Sequence, residues 1–178
     1  MTGLSHRIAC TNDLPAIRTL IVRAIERLQN DFLTPEQVHA SHKVMGLDTQ
    51  LIHDGTYFVV EAGGRIVGSG GWSWRATLYG GDDSTVTREP RRMDPATNAA
   101  RIRAMYTDPD FTRRGIGRLV LGLCEAAARD AGFAHVEMMA TMSGVPLYRT
   151  CGYVPLEPVC SASVHGVQVP LQRMGKIL

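Results

Sequence analysis

The residues best suited to chemistry lie in one run: Asp108-Pro109-Asp110-Phe111-Thr112-Arg113-Arg114-Gly115-Ile116-Gly117-Arg118. An apolar stretch stops at Asp108-Pro109, a short loop turns, and a helical pattern begins at two glycines spaced G-x-G. The first turn of a helix has amides without intrahelical acceptors and the positive end of the helix dipole. Together these cradle an anion, commonly a pyrophosphate. A glycine lets a phosphate reach the backbone with no Cβ in the way, and Arg113, Arg114 and Arg118 offer charge-assisted contacts. The alternative is structural: G-x-G at a helix start permits close helix–sheet packing, and loop arginines are solvated. The run is neither the G-x-G-x-x-G dinucleotide fingerprint nor a P-loop, whose closing Lys-Ser/Thr is missing. Gly68-Ser69-Gly70-Gly71 is a weaker rival because it falls inside an expected strand.

The elements that must position this run read as follows. Residues 6–10 form a short strand, and Thr11 or Asp13 caps a helix whose face carries Leu14, Ile17, Leu20, Ile21, Ala24, Ile25 and Leu28 at helical spacing. Thr34 caps a second helix with Pro35 at its first position, ending near Gly46. Strands 57–62 and 65–72 flank the turn Gly63-Gly64 as a hairpin. Residues 75–97 have little periodicity and read as a long loop, a length usually functional or disordered. A strand at 100–107 precedes the run, and a helix over 115–131 follows it. That helix buries Ile116, Leu119, Val120, Leu123 and Ala127, with Gly132 and Phe133 as its C-terminal cap. A strand at 134–140, a short helix at 145–151 closed by Gly152, and strand-like segments near Tyr153 and at 164–174 complete the chain. Strands alternating with helices in the second half imply α/β or α+β layering in one domain over residues 1–178.

With these residues in place, the segment Thr112-Arg113-Arg114-Gly115-Ile116-Gly117 resembles the central motif of the GNAT superfamily of N-acetyltransferases, written Q/R-x-x-G-x-G/A. Pro146-Leu147-Tyr148-Arg149-Thr150-Cys151-Gly152-Tyr153 resembles that family's final motif, in which Leu-Tyr precedes Gly-Phe/Tyr. The close resemblance spans residues 100–156. Thr112 departs from the usual Gln or Arg, and Thr141 stands where many members carry an Asn that touches the pantetheine arm. The resemblance implies a single-domain, mixed, mostly antiparallel, splayed sheet flanked by helices. It implies acetyl-CoA bound by main chain near Met105, Tyr106 and Thr107, with its pyrophosphate on Arg113 to Arg118. It also implies acetyl transfer to a primary amine by direct attack, with Tyr148 protonating the departing thiolate. A non-catalytic acyl-CoA-sensing module is the alternative, and the family allows a homodimer.

A lysine-like amine has a pKa of about 10.4, so neutralising it at pH 7 takes roughly 4–5 kcal/mol. Glu61 and Glu137, on expected strands, are the candidate bases. Asn30, Asp31 and Phe32, together with Trp72, Trp74 and Tyr79, are the acceptor-side candidates. The two Trp residues either line a pocket or cover the sheet. The acceptor is a small-molecule or protein amine that the sequence does not name.

Composition sets the boundaries. A net charge of +2 gives no case for nucleic acid. No apolar run approaches the roughly 18–20 residues that cross a membrane, and the N-terminus has no signal-peptide pattern, so the expected site is cytoplasmic. Cys10, Cys124, Cys151 and Cys160 form no C-x-x-C pair and no zinc-spaced cluster, so no metal and no disulfide is expected. Of nineteen basic residues only Lys43 and Lys176 are Lys.

Overall fold

The computed structural model describes residues 3–178. Seven strands, β1 (Leu4–Ile8), β2 (Tyr57–Ala62), β3 (Arg65–Ser73), β4 (Ala100–Thr107), β5 (His135–Thr141), β6 (Val154–Cys160) and β7 (Pro170–Ile177), form one sheet in the order β1-β2-β3-β4-β5-β7-β6. All neighbours are antiparallel except β4 and β5, which run parallel. The expected mixed, mostly antiparallel sheet in one domain is what the chain builds. Helices α1 (Leu14–Leu28), α2 (Pro35–Val44) and α3 (Thr49–His53) cover one face, and α4 (Ile116–Asp130) and α5 (Val145–Thr150) the other.

Local signals explain most of these elements. Thr34 accepts the Gln37 amide at 3.3 Å while the Gln37 side chain returns to the Thr34 amide at 3.1 Å, a capping box that starts α2. A 3-10 turn at Thr11–Asp13 leads into α1, with Asp13 accepting the Cys10 amide at 2.8 Å. Helix α3 has too few residues to show a period in the sequence; Asp48 caps it by accepting the Gln50 amide. The buried stripe of α4 is Ile116, Val120, Leu121, Cys124 and Ala128, not the expected line through Leu123 and Ala127. Apolar residues on several faces of α4 left its rotation open. The sheet decides it, because Gly68 and Gly70 of β3 present no side chains and admit Ile116 and Val120 of α4. The glycines of β3 are therefore packing residues, not a rival phosphate site.

One irregularity organises the middle of the sheet. Along β3 the register moves from Ser69 to Gly71, while along β4 it moves from Tyr106 to Arg103, so β4 carries one extra residue. Within that bulge Ala104 has φ +52°, a left-handed conformation that costs a residue with a Cβ about 1–2 kcal/mol. The fully buried Tyr57 hydroxyl donates to the Ala104 carbonyl at 3.0 Å and lies 2.9 Å from the Ser69 hydroxyl. Just before the bulge the two parallel strands separate: β4 pairs with β5 only at Ala100–Val136 and Arg101–Glu137.

Residues 74–99 between β3 and β4 form neither helix nor regular strand, as the sequence suggests, yet they pack in a definite way. The Met93 amide donates to Trp74 at 2.8 Å, Ala76 to Arg91 at 2.9 Å and Thr77 to Glu89 at 3.0 Å, so the segment doubles back on itself. Arg75 pairs with Asp54 at 2.7 Å, and Met93 is buried.

Tyr57→Phe tests what holds the bulge. It leaves a buried carbonyl without its donor, so stability should fall by about 1–3 kcal/mol, with the melting temperature dropping about 2–4 °C per kcal/mol for a domain of this size. An unchanged melting curve by circular dichroism would mean the hydroxyl does not support the bulge.

Candidate functional site

The parting of β4 and β5 opens a cleft lined by Met105, Tyr106 and Thr107 of β4, Thr141 at the end of β5, and Tyr148 of α5. These five expected residues come together although more than forty positions separate the first from the last. From Ile102 onward the β4 edge facing β5 has no strand partner. It is a free edge with which an extended ligand can pair. Thr141 Oγ1 and Ser143 Oγ lie 3.1 Å apart at the cleft wall.

At the mouth of the cleft the chain turns into α4. Arg113 (φ +64°) and Gly115 (φ +80°) are both left-handed, which folds the loop into a concave turn ahead of the helix. The first intrahelical bond is the Leu119 amide to the Gly115 carbonyl at 2.9 Å. That leaves the amides of Gly115 to Arg118 as the unpaired group a helix start presents. A Cβ placed on Gly115 would meet no atom within 4 Å, so this glycine faces open space. Gly117 behaves differently from the sequence reading: its Cβ would lie 2.7 Å from Leu147 Cδ2. The second glycine therefore seats α5 against the start of α4 rather than making room for a phosphate. Arg113, Arg114 and Arg118 have no carboxylate partner among the described residues; Arg114 stacks over Phe111 at 4.7 Å.

This loop is tied down from behind by Asp108. Its carboxylate accepts the Asp110 amide at 2.9 Å, ion-pairs with Arg65 of β3 and meets Arg23 of α1 at 3.2 Å. Arg23 continues to Asp110 at 2.7 Å. Burial opposes ionisation of Asp108, but the Asp110 amide and the two guanidiniums outweigh it and hold the carboxyl below its usual range.

Tyr148 is 8% exposed, its ring lies against Gly144, and the Tyr153 ring centroid is 6.0 Å away. Burial pushes the pKa of its hydroxyl well up, so the group stays protonated at neutral pH. Opposite, the Tyr106 hydroxyl accepts the Gly46 amide at 3.0 Å; burial raises its pKa to about 12. Arg103, 5% exposed, meets Asp48 at 2.8 Å and donates to the carbonyls of Gly80 and Thr77.

The two candidate bases do not reach this cleft. Glu61 lies on β2, separated from β4 by β3, and pairs with Arg7 at 2.7 Å. Glu137 sits where β4 and β5 are still paired and is held by Arg101 at 2.7 Å and Arg173 at 2.8 Å. Among the described residues, no Asp, Glu or His lines the cleft. The tryptophans also stand elsewhere: Trp72 is buried in the α4-side core, edge-on to Trp74 at 5.4 Å and to Phe133 at 6.2 Å, and Arg92 covers Trp74. Their alternation on one strand is shared by core and pocket residues alike. Asn30, Asp31 and Phe32 lie just past the wall, which α1 supplies through Leu28 and Gln29; Tyr79 of the long segment does line it. Gln29, Met45, Arg103 and Ser143 were not singled out by sequence, since no local pattern marks a residue that reaches a site through long-range packing.

The family model for the acetyltransferase (GNAT) family matches residues 22–153. Among solved structures, the GCN5-related N-acetyltransferase of Rhodopseudomonas palustris superposes with a TM-score of 0.72 at 18% identity, covering 100% of this chain and 98% of that one. The PaiA N-acetyltransferase of Thermoplasma acidophilum, solved in complex with coenzyme A, gives 0.66 at 11% identity over 99% of each chain. The ribosomal-protein-alanine N-acetyltransferase of Brucella melitensis gives 0.65 at 19% identity, covering 98% of this chain and 99% of that one. No curated protein matches the chain.

Because Asp108 has a depressed pKa in the folded chain, its stabilisation is present above the ordinary carboxylate pKa of about 3.9 and is lost as the pH falls below it. Asp108→Asn should therefore lower the melting temperature at pH 7, and the gap to wild type should close toward pH 3. A gap that stays constant with pH would rule out the carboxylate's charge as the source.

Proposed function

The chain belongs to the acetyltransferase (GNAT) family, and on that premise we propose that it transfers an acetyl group from acetyl-CoA to a primary amine by direct attack. The observation that carries this reading is the open β4 edge and the protonated Tyr148 in one cleft, with the unpaired amides at the start of α4 beside Thr107 at the end of that edge. The residues fit acetyl-CoA in three respects. The β4 edge at Met105, Tyr106 and Thr107 suits the amides of a pantetheine arm. The loop from Thr112 to Arg118 suits a pyrophosphate: Arg113, Arg114 and Arg118 lack acidic partners among the described residues, and Gly115 leaves its approach open. The Thr141–Ser143 hydroxyl pair takes the place of the Asn found in many relatives and gives that arm a polar contact.

Bound acetyl-CoA supplies a thioester carbonyl open to a neutral amine, with a thiolate as the leaving group. The roles of the chain follow. Tyr148, kept protonated by burial, gives its proton to the departing sulfur and recovers one from solvent. The amine bonds to the acetyl carbon as the carbon–sulfur bond breaks, and its surplus proton leaves to water, since no carboxylate or imidazole lines the cleft. The segment bearing Leu78, Tyr79 and Gly80 borders the acceptor side. The four thiols, free in this fold, suit a reducing cytoplasm.

Two substitutions test the reading. Gly117 is a poor probe of the phosphate site because its Cβ meets Leu147. Arg118→Glu instead places like charge beside the pyrophosphate and should weaken acetyl-CoA binding at least about tenfold by isothermal titration; unchanged affinity would remove this loop from the site. Tyr148→Phe keeps the ring and removes the proton, and should lower kcat by about 10²–10⁴-fold with acetyl-CoA affinity nearly intact. Because burial raises the Tyr148 pKa, the wild-type rate should show no decline from this group up to about pH 10. Thiol release across an amine panel, at a rate equal in wild type and Phe variant where chemistry limits, would sink the assignment to Tyr148.

A further inference from the structure

The walls of the cleft carry more information than the reaction class, and this inference rests on the acetyl-transfer reading above. Most polar groups there are already satisfied. Tyr106 is engaged with Gly46, Thr141 with Ser143, and Arg103 with Asp48 and two carbonyls. Among the described residues, Gln29 holds the one fully buried polar side-chain atom of the lining that lacks a partner. It closes α1, lines the cleft and is 4% exposed. Its Nε2 donates to Met45 Sδ at 3.5 Å, but its Oε1 is buried without a partner. A buried carboxamide oxygen left unpaired is unfavourable by the desolvation of that group, so its retention in a cleft points to a donor that arrives with the ligand.

Charge narrows the ligand. Arg103 is the one ionised group in the cleft lining, and it is compensated by Asp48. No carboxylate stands ready for a cation, and the neighbouring wall is Leu28, Met45, Leu78 and Met139. A second ammonium on the acceptor would be buried among apolar groups and near Arg103 with no counter-charge, an arrangement that is strongly unfavourable.

We propose that the acceptor is a monoamine with an uncharged, apolar body, and that the Gln29 carboxamide oxygen receives an N–H of its neutral amine. The same surroundings explain the missing base. Desolvation, with Arg103 nearby, favours the neutral amine, so the ammonium sheds its proton to water on entry and Gln29 holds the nitrogen lone pair toward the thioester.

The test is calorimetric titration of the full chain with hexylamine and, separately, hexamethylenediamine, each in the presence and absence of CoA. Hexylamine should bind at least about tenfold more tightly than the diamine. Gln29→Met keeps the side-chain volume and removes the acceptor, and should weaken hexylamine about five- to tenfold while acetyl-CoA affinity is unchanged. Equal or tighter binding of the diamine, no binding of hexylamine, or an unaffected Gln29→Met variant would each overturn the proposal. The wild-type comparison of the two amines decides the matter even if the variant fails to fold. Failure of acetyl-CoA to bind would instead count against the acetyl-transfer reading, and the titrations without CoA would still report on the monoamine.

Discussion

The structure turns on the hydrogen bond from the Tyr57 hydroxyl to the carbonyl of Ala104. It holds one residue of β4 in a left-handed conformation that a strand would otherwise shed. The extra residue breaks the register with β3 in the stretch of β4 that no longer pairs with β5, whose pairing ends at Arg101. The free edge of β4 that lines the cleft therefore contains the bulge, with Ala104 among the lining residues. Ser69 completes the arrangement from β3, so a buried polar trio sits where an apolar core would have been simpler. Tyr57 does not itself line the cleft, yet its hydroxyl holds the carbonyl of Ala104, which does.

A second constraint joins the two ends of the chemistry. Leu147 of α5 fills the space left by the missing side chain of Gly117 at the start of α4. The loop ahead of α4 and the helix bearing Tyr148 are thereby packed on each other. Asp108 performs the matching task on the far side, drawing α1, β3 and the loop together through Arg23 and Arg65. Opposite charge thus anchors the loop through Arg23 and Arg65, while Arg113, Arg114 and Arg118 are exposed and have no carboxylate partner among the described residues. The concentration of basic residues as Arg serves both uses, since a guanidinium can bridge several oxygens where an ammonium holds one.

The catalytic arrangement is asymmetric. In the proposed mechanism the acid is a specific side chain, Tyr148, with its proton secured by burial, whereas deprotonation of the amine falls to the low polarity of the cleft and to water. That division suits a cleft whose ionic groups have been compensated before any ligand arrives. It also explains why carboxylates that look suitable by position serve instead as structural partners of Arg7, Arg101 and Arg173.

Local chemistry was readable directly from the residues. The run from Asp108 to Arg118, the Gly63-Gly64 hairpin, the Thr34 cap and the closing glycines at 132 and 152 are all fixed by neighbours a few positions away. Their turns, caps and periods appear without reference to the rest of the chain. The sequence also determined the family, because its two motifs are themselves such local units. Tertiary structure alone decided which strand residues face the site. Nothing in the local sequence of Glu61 and Glu137 sets them apart from cleft residues; their places in the sheet and the arginines that approach them do, as the covering layer does for Trp72 and Trp74. The face of α4 that turns inward was set by the glycines of β3, and the bulge at Ala104 by a tyrosine from another strand. Gln29 became notable only once its oxygen was found buried and unpaired. A strand's alternation says that two faces exist, but what lies against each face is a matter of contacts between residues far apart in the chain.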